Sequence, residues 1–384
     1  MQDVLATIAF LPHHGMFLSD NVFANFLTKY ISSDYLLSGV FVLLILIAIV
    51  VAAIYLYLFY KKRTYRKKYL IEQDIENWIG NIIMEESAED IELPGNFYKL
   101  MNDPVARQFA IDELIVCKKN FSGAGSDNIV KLYQQLGLKS VSVKKMKAGK
   151  GWHIRAKGIQ ELYMMDQQDQ LTAIYKHTNS KNEYVRMEAQ SGVINLTGYA
   201  GLRFLDMVSY PITEWQQLKL LELLRLSKKK EDLSGKLPGW LASKNETVVV
   251  FALKLADEFQ LFALKKEIAN CLVHPSQEVR TAAFRTMVKL ADDQTASQLL
   301  GYIKKEPLSN QQYILESLAT IATDNEKGTL VELLEHHNDT IKLKAAMVIA
   351  NCCTGGEALL MAKAAAVPNP YQQILLHVQA ANKR

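Results

Sequence analysis

The chain has 384 residues, with 44 Lys and Arg against 40 Asp and Glu and a formal net charge of +4. That length holds about two or three ordinary domains or one long repeat array, and the charge is too small for a global nucleic-acid binder. Nine prolines and nineteen glycines are few for this length, which favours helix and argues against disorder.

Residues 1–34 form an N-terminal tail with no basic stretch ahead of an apolar core, so no cleaved secretory signal is expected. After Ser19-Asp20-Asn21, a capping sequence, Val22, Phe23, Phe26, Leu27, Tyr30 and Ile31 recur at helical spacing and predict a short interfacial helix. His13-His14 lacks a third ligand and predicts no metal site. Residues 36–60 then pass without a charge. As a helix they reach roughly 37 Å, enough to cross a hydrocarbon core of about 30 Å. The predicted span is 35–60.

The basic collar at 61–69 carries Lys61, Lys62, Arg63, Arg66, Lys67 and Lys68 and no acid. Only Lys29 precedes the span, so the charge contrast places the N-terminus outside and the long C-terminal arm in the cytoplasm. The collar is the expected contact with anionic lipid headgroups, and Tyr55, Tyr57 and Tyr60 belong at the inner interface. Cys117, Cys271, Cys352 and Cys353 all follow the span without CxxC spacing and read as buried thiols in a reducing compartment.

From about residue 70 the pattern is helix after helix. A register recurs at Ile154, Val185, Gln217, Val248, Val279, Asn310, Ile341 and Gln372, at steps of 31 or 32 residues. Four residues on stand Gly158, Ala189, Leu221, Ala252, Ala283, Ile314, Ala345 and Leu376. Eleven on lie Met165, Leu196, Phe259, Leu290, Ile321 and Cys352, with Lys228 a mismatch. These positions share one helical face, so each copy buries a stripe, and the small residues predict close approach of the next copy's helices. A second apolar helix precedes each turn, at Leu171 to Tyr175, Leu264 to Leu272, Ala296 to Ile303 and Gly328 to Leu334. The expected fold is all-α: a single transmembrane helix, then a right-handed α-solenoid of stacked antiparallel helix pairs. The array occupies 127–384; residues 70–126 are a divergent cap, because Val105 stands 49 residues before Ile154.

The small-residue column and the Val-Arg pair that opens the second helix of a unit (Val185-Arg186, Val279-Arg280) resemble HEAT repeats, in particular the short bacterial type. The resemblance implies a scaffold or adaptor that binds another protein, here at the cytoplasmic face of a bacterial inner membrane, in envelope assembly or polysaccharide synthesis and export. It also implies two alternatives. Bilin lyases carry short HEAT-like repeats, and some HEAT-like DNA glycosylases use a basic concave face.

Candidate binding residues for a partner or anionic lipid are of two kinds. One is a ladder after the opening position, Arg155, Arg186, Arg280 and Lys342, broken at Leu218, Val249, Gln311 and Gln373. The other is a basic cluster, Lys139, Lys144, Lys145, Lys147, Lys150, Arg155 and Lys157, read as a loop between a helix at 128–138 and one starting near Trp152. The Gly-Ala-Gly stretch at 123–125 lacks GxxxxGK[ST] and reads as a turn with Asp127 or Asn128 as N-cap. No HExxH, GxSxG or paired Cys and His appears, so no catalysis and no cofactor is expected. His336-His337 stands at a helix C-terminus, which favours a partly charged imidazole.

Overall fold

The computed structural model describes residues 33–83, 95–149 and 151–382, and among these it contains helices and no strand. The chain divides into two compact units, Met1–Glu113 and Leu114–Arg384. The expected interfacial helix, His13-His14 and Lys150 lie outside the described residues.

The first unit is built on α1, Ser33–Ile83, a single helix of 51 residues. The expected span and collar are therefore not separate segments; Lys and Arg are good helix formers and no proline interrupts the run. Its first half buries nothing: Leu43, Ile47 and Phe59 are 59, 50 and 67% exposed. Past the collar the same helix becomes amphipathic, with Ile71, Ile75 and Ile79 buried at i, i+4 and i+8. Two further helices follow, α2 (Gly95–Leu100) and α3 (Pro104–Asn120). Pro104 takes the position where a missing N–H costs nothing, and Asp103 Oδ1 caps α3 by accepting from the Val105 amide at 2.8 Å.

The second unit begins within α3, at Leu114, and continues with α4 (Ala124–Gln135), α5 (Leu138–Met146) and α6 (Trp152–Met164). Helix α4 starts at Ala124 with Gly123 at its N-cap, so Asp127 and Asn128 lie inside its first turns and do not cap it. Gly137, at φ 65°, separates α4 from α5. The basic cluster expected in a loop is thus largely helix α5. Helix α4 is also the insertion that stretches the interval from Val105 to Ile154 beyond one repeat.

Thereafter short first elements alternate with long second helices. The second helices are α6, α8 (Glu183–Thr197), α9 (Glu214–Leu226), α11 (Glu246–Glu258), α13 (Gln277–Lys289), α15 (Leu308–Ile321), α17 (Asp339–Cys352) and α19 (Pro368–Asn382). From α6 to α17 their starts are 31, 31, 32, 31, 31 and 31 residues apart. The first elements are α5, α7 (Leu171–Tyr175), α10 (Leu237–Leu241), α12 (Lys265–Asn270), α14 (Thr295–Ile303), α16 (Lys327–Leu333) and α18 (Gly356–Ala366). Gly198–Asp206 is entirely 3-10, and the expected helix from Leu264 to Leu272 is split between α12 and flanking 3-10 turns.

Each first element packs on the second helix of its own pair. The second helices stack α6 on α8, α8 on α9, α11 on α13, α13 on α15, α15 on α17 and α17 on α19. Contact between nearest neighbours along the chain is the mark of a solenoid. One continuous apolar core runs through it from Met146 to Val378.

The helix starts correct the register at one place. The step of 32 falls between α9 and α11, so Gln216, not Gln217, occupies the column of Val185 and Val248. The column itself is buried at Val185, Gln216, Val248, Val279, Asn310 and Ile341, but Ile154 is 40% exposed where it begins. At the other end a non-helical Asn369 resets the rotation of α19, which buries Tyr371, Ile374 and Val378 and leaves Gln372 and Leu376 in solvent. The small-residue column also acts differently from expectation. A Cβ on Gly158 would stand 2.4 Å from the Met146 amide nitrogen of α5, so the glycine closes the two helices of one pair rather than two successive copies.

Candidate partner-binding surface

The ladder of cations expected to face a ligand is turned inward. In the column that contains Arg186 and Gln217, the side chain reaches back to the carbonyls of the loop before its own helix. Arg155 Nη2 donates to the Ala148 carbonyl at 2.6 Å, and Arg186 Nη1 to that of Ser180 at 2.8 Å. Gln217 Nε2 donates to Ile212 O at 3.1 Å and Gln311 Nε2 to Glu306 O at 2.8 Å. Arg280 Nη1 donates to the His274 and Pro275 carbonyls at 2.9 and 3.0 Å, while its Nε meets Glu306 at 2.6 Å. Arginine and glutamine serve alike because the task is to donate to a carbonyl, so Gln311, read as a break in a charge ladder, and Gln217, one place before the break at Leu218, continue a ladder of donors that Val249 still interrupts. Arg155, Arg186 and Arg280 are therefore loop clamps. Lys342 pairs within its own helix with Asp339 at 2.9 Å.

Part of the basic cluster is also committed. Glu161 is fully buried on α6 and accepts from Lys145 Nζ at 2.6 Å and from Ser142 Oγ at 2.7 Å; Ser142 in turn accepts from Tyr133 at 2.8 Å. This chain of hydrogen bonds ties α4, α5 and α6 together, and burial pushes the Tyr133 phenol up. Lys139 pairs with Asp169. Lys144 and Lys147 at the end of α5 are exposed, as is Lys157 within α6. In the collar Lys61, Lys62, Arg63, Arg66 and Lys68 are exposed, and Lys68 pairs with Glu72 at 3.2 Å; the Lys67 side chain is outside the described residues.

A row of exposed aromatic side chains opens three of the second helices. Trp152, Tyr184 and Trp215 stand at the N-terminal ends of α6, α8 and α9 and are 47, 56 and 72% exposed. Trp152 and Tyr184 stack with ring centroids 4.6 Å apart and planes 20° from parallel. Ile154 on α6 and Leu218 on α9 are 40 and 55% exposed, and Arg186 lies 4.8 Å from the ring of Tyr210. The available signal was an aromatic residue at the opening of three successive copies. It was masked because Trp152 and Tyr184 sit one or two places outside the buried column. The corresponding positions of the next copies are Thr247, Glu278 and Ser309, and the row stops there.

The outward face of α11 and α13 is polar instead, with a groove of about 630 Å³ bearing Lys254, Asp257, Glu278 and Arg285. Burial pushes the Asp257 carboxyl up, against the opposing charge of Lys289. A larger cleft of about 870 Å³ lies between 205–211 and 239–247. Its polar groups serve the fold: Trp240 Nε1 donates to Asp206 at 2.6 Å, and Asn245 Nδ2 to the Val208 and Tyr210 carbonyls at 3.3 and 3.1 Å.

Three of the four thiols are held in the protonated form by burial. Burial pushes Cys271 up to about 11 and raises Cys352 and Cys353 as well, which keeps them protonated and poorly nucleophilic. Cys271 and Cys353 are buried, whereas Cys117 and Cys352 are half-buried. His336 departs from expectation: burial and the neighbouring His337 push it down, and its Nδ1 accepts from the Asn338 amide at 3.1 Å, so the neutral ring is favoured. Among the described residues no group of three or more His, Cys, Asp or Glu is placed to hold a metal.

No protein-family model matches the chain, and no curated relative does. Solved structures with similar folds include a Kap121p mutant (TM-score 0.45, 11% identity, 73% of this chain and 37% of that one). They also include the complex of CpcE and CpcF of phycocyanin lyase from Nostoc sp. PCC7120 (0.23, 12%, 78% and 98%) and human deoxyhypusine hydroxylase with glycerol (0.26, 14%, 73% and 96%). This chain thus spans about a third of the length of Kap121p. At these scores the likeness assigns no activity; the all-helical repeat architecture rests on the stacking of the second helices described above.

Proposed function

We propose that the chain is a membrane-anchored scaffold whose helical-repeat arm binds a partner protein at the cytoplasmic face of a bacterial inner membrane, with the N-terminus outside. The observation that carries the reading is the aromatic row Trp152, Tyr184 and Trp215, exposed at the openings of three successive copies, with Lys144 and Lys147 exposed in the stretch of chain ahead of the first. Exposed tryptophan and tyrosine side chains supply large contact area at low entropy cost and dominate binding energetics. The partner segment that fits combines apolar side chains with acids.

Helix α1 supports the anchor: it is long and apolar enough to cross a bilayer, and its apolar half buries nothing against protein. Anchoring raises the effective concentration of a partner that works at the membrane, so the surface need not bind tightly. The reading has no catalytic step. Envelope assembly or polysaccharide export is a setting consistent with it.

The test is affinity purification of the full chain from detergent-solubilised membranes, beside a Trp152→Ala/Trp215→Ala variant. Loss of a co-purifying protein with an unchanged circular-dichroism melt is expected; equal recovery with both chains would refute the surface. Protease added to sealed spheroplasts should leave the arm intact, and its digestion would reverse the orientation.

A further inference from the structure

The first unit holds a cavity that partner binding leaves unused. About 490 Å³ in volume, it lies between one face of α1, with Phe59, Arg63, Lys68 and Ile71, and the start of α3 at Asp103 and Val105. Its position is set by the uncharged run that ends at Tyr60. Arg63 stands about 4.5 Å and Lys68 about 12 Å further along the axis. A bilayer of about 40–45 Å with a core of about 30 Å leaves about 5–8 Å of headgroup layer on each side. Arg63 therefore falls within that layer, and the long Lys68 side chain reaches back toward it.

The groups that line the cavity divide by chemistry. Arg63 is exposed and presents a planar fork suited to phosphate. Lys68 pairs with Glu72 at 3.2 Å on an open surface, a contact of little strength that a phosphate can displace. Thr64 is already committed, since its hydroxyl donates to the Tyr60 carbonyl at 2.9 Å. Asp103 is held to the amide of Val105 as the cap of α3, a helix of 17 residues whose positive end faces the cavity. Phe59, Ile71 and Val105 supply an apolar wall beside the cations, as the glycerol and first methylenes of a lipid require.

We propose that this cavity holds the headgroup phosphate of one anionic glycerophospholipid, drawn from the bilayer that α1 crosses. The assignment rests on the anchor reading and adds a defined, stoichiometric site to the diffuse attraction of the collar. The bound lipid bridges α1 to the start of α3 within the first unit.

Native mass spectrometry of the full chain released from detergent micelles tests it, with dioleoyl-phosphatidylglycerol, dioleoyl-phosphatidylcholine or inorganic phosphate added. One retained phosphatidylglycerol per chain is expected. Arg63→Gln with Lys68→Gln should lower that adduct about tenfold, as loss of a charge-assisted phosphate clamp does. Lys61→Gln with Lys62→Gln, equal in charge but outside the cavity, should change it by less than about twofold. Glu72→Gln, which releases Lys68, should raise it. Equal loss in both double variants, equal retention of phosphatidylcholine, or retention of phosphate alone would overturn the proposal. Flotation of the full chain with vesicles reports separately on the anchor, so failure of the span and failure of the cavity give different results.

Discussion

Helices α1 and α11 are both rich in Leu, Val, Phe and Ala, yet they meet opposite fates. In α11, Val248, Val249, Phe251, Ala252, Leu253, Leu255 and Ala256 are fully buried by neighbouring helices. In α1 every large apolar side chain from Leu37 to Phe59 is about half exposed or more, as on a bare helix. Burial of an apolar side chain is worth about 1.5–3 kcal/mol, so α11 draws its stability from the array while the stretch of α1 from Leu37 to Phe59 draws none from protein. The apolar half of α1 needs another medium, and the bilayer that we propose supplies it.

The contrast breaks most readily at its buried side. Phe251→Ala should destabilise the arm by about 3–5 kcal/mol, read from chemical denaturation, and leave membrane retention unchanged. Ile47→Arg is the mirror experiment. It should cost insertion about 2.5–3.5 kcal/mol and shift the chain from the carbonate-resistant membrane fraction, with the melt of the arm unmoved. If Ile47→Arg unfolds the arm, α1 is a core helix and the anchor fails.

Smaller effects sharpen the division between clamps and surface. Arg280→Ala removes donors to His274 and Pro275 and leaves the buried Glu306 without that partner, so a loss of about 2–3 kcal/mol is expected. Arg280→Gln should recover part of it through the carbonyls alone, because Gln311 makes the same kind of contact. Trp215→Ala, at an exposed site, should change stability by less than about 0.5 kcal/mol while weakening capture of the partner.

The smallest effect is electrostatic. The Lys265 ammonium beside Asp292 holds its carboxyl down to about 2, against an ordinary value of 3.8. The folded chain thus favours the ionised form: the contribution is complete above the unfolded value and is lost as pH falls through about 2. Asp292→Asn should flatten the acid limb of the stability profile below pH 3.8, and only slightly, since the carboxyl is largely in solvent.

Periodicity and composition were sufficient for the coarse architecture. The uncharged run, the 31-residue interval and the buried opening column at Val185, Val248, Val279 and Ile341 are all written in residue type and spacing, because helical phase converts spacing into facing; that Gly158 admits its own first helix rather than the next copy was not. Rotation, pairing and partner choice are non-local, and only the packed chain decided them. A single extra residue between α9 and α11 moved Gln217 from the core column to the clamp column. Gly137 turned an expected basic loop into helix α5, and its lysines divided among buried Glu161, Asp169 and solvent. Arg155, Arg186 and Arg280 looked like a binding ladder because a cation's target is invisible in sequence; the target was the carbonyls of their own loops. The aromatic row was present in the sequence throughout, but exposure is a property of what packs nearby, and that belongs to tertiary structure alone.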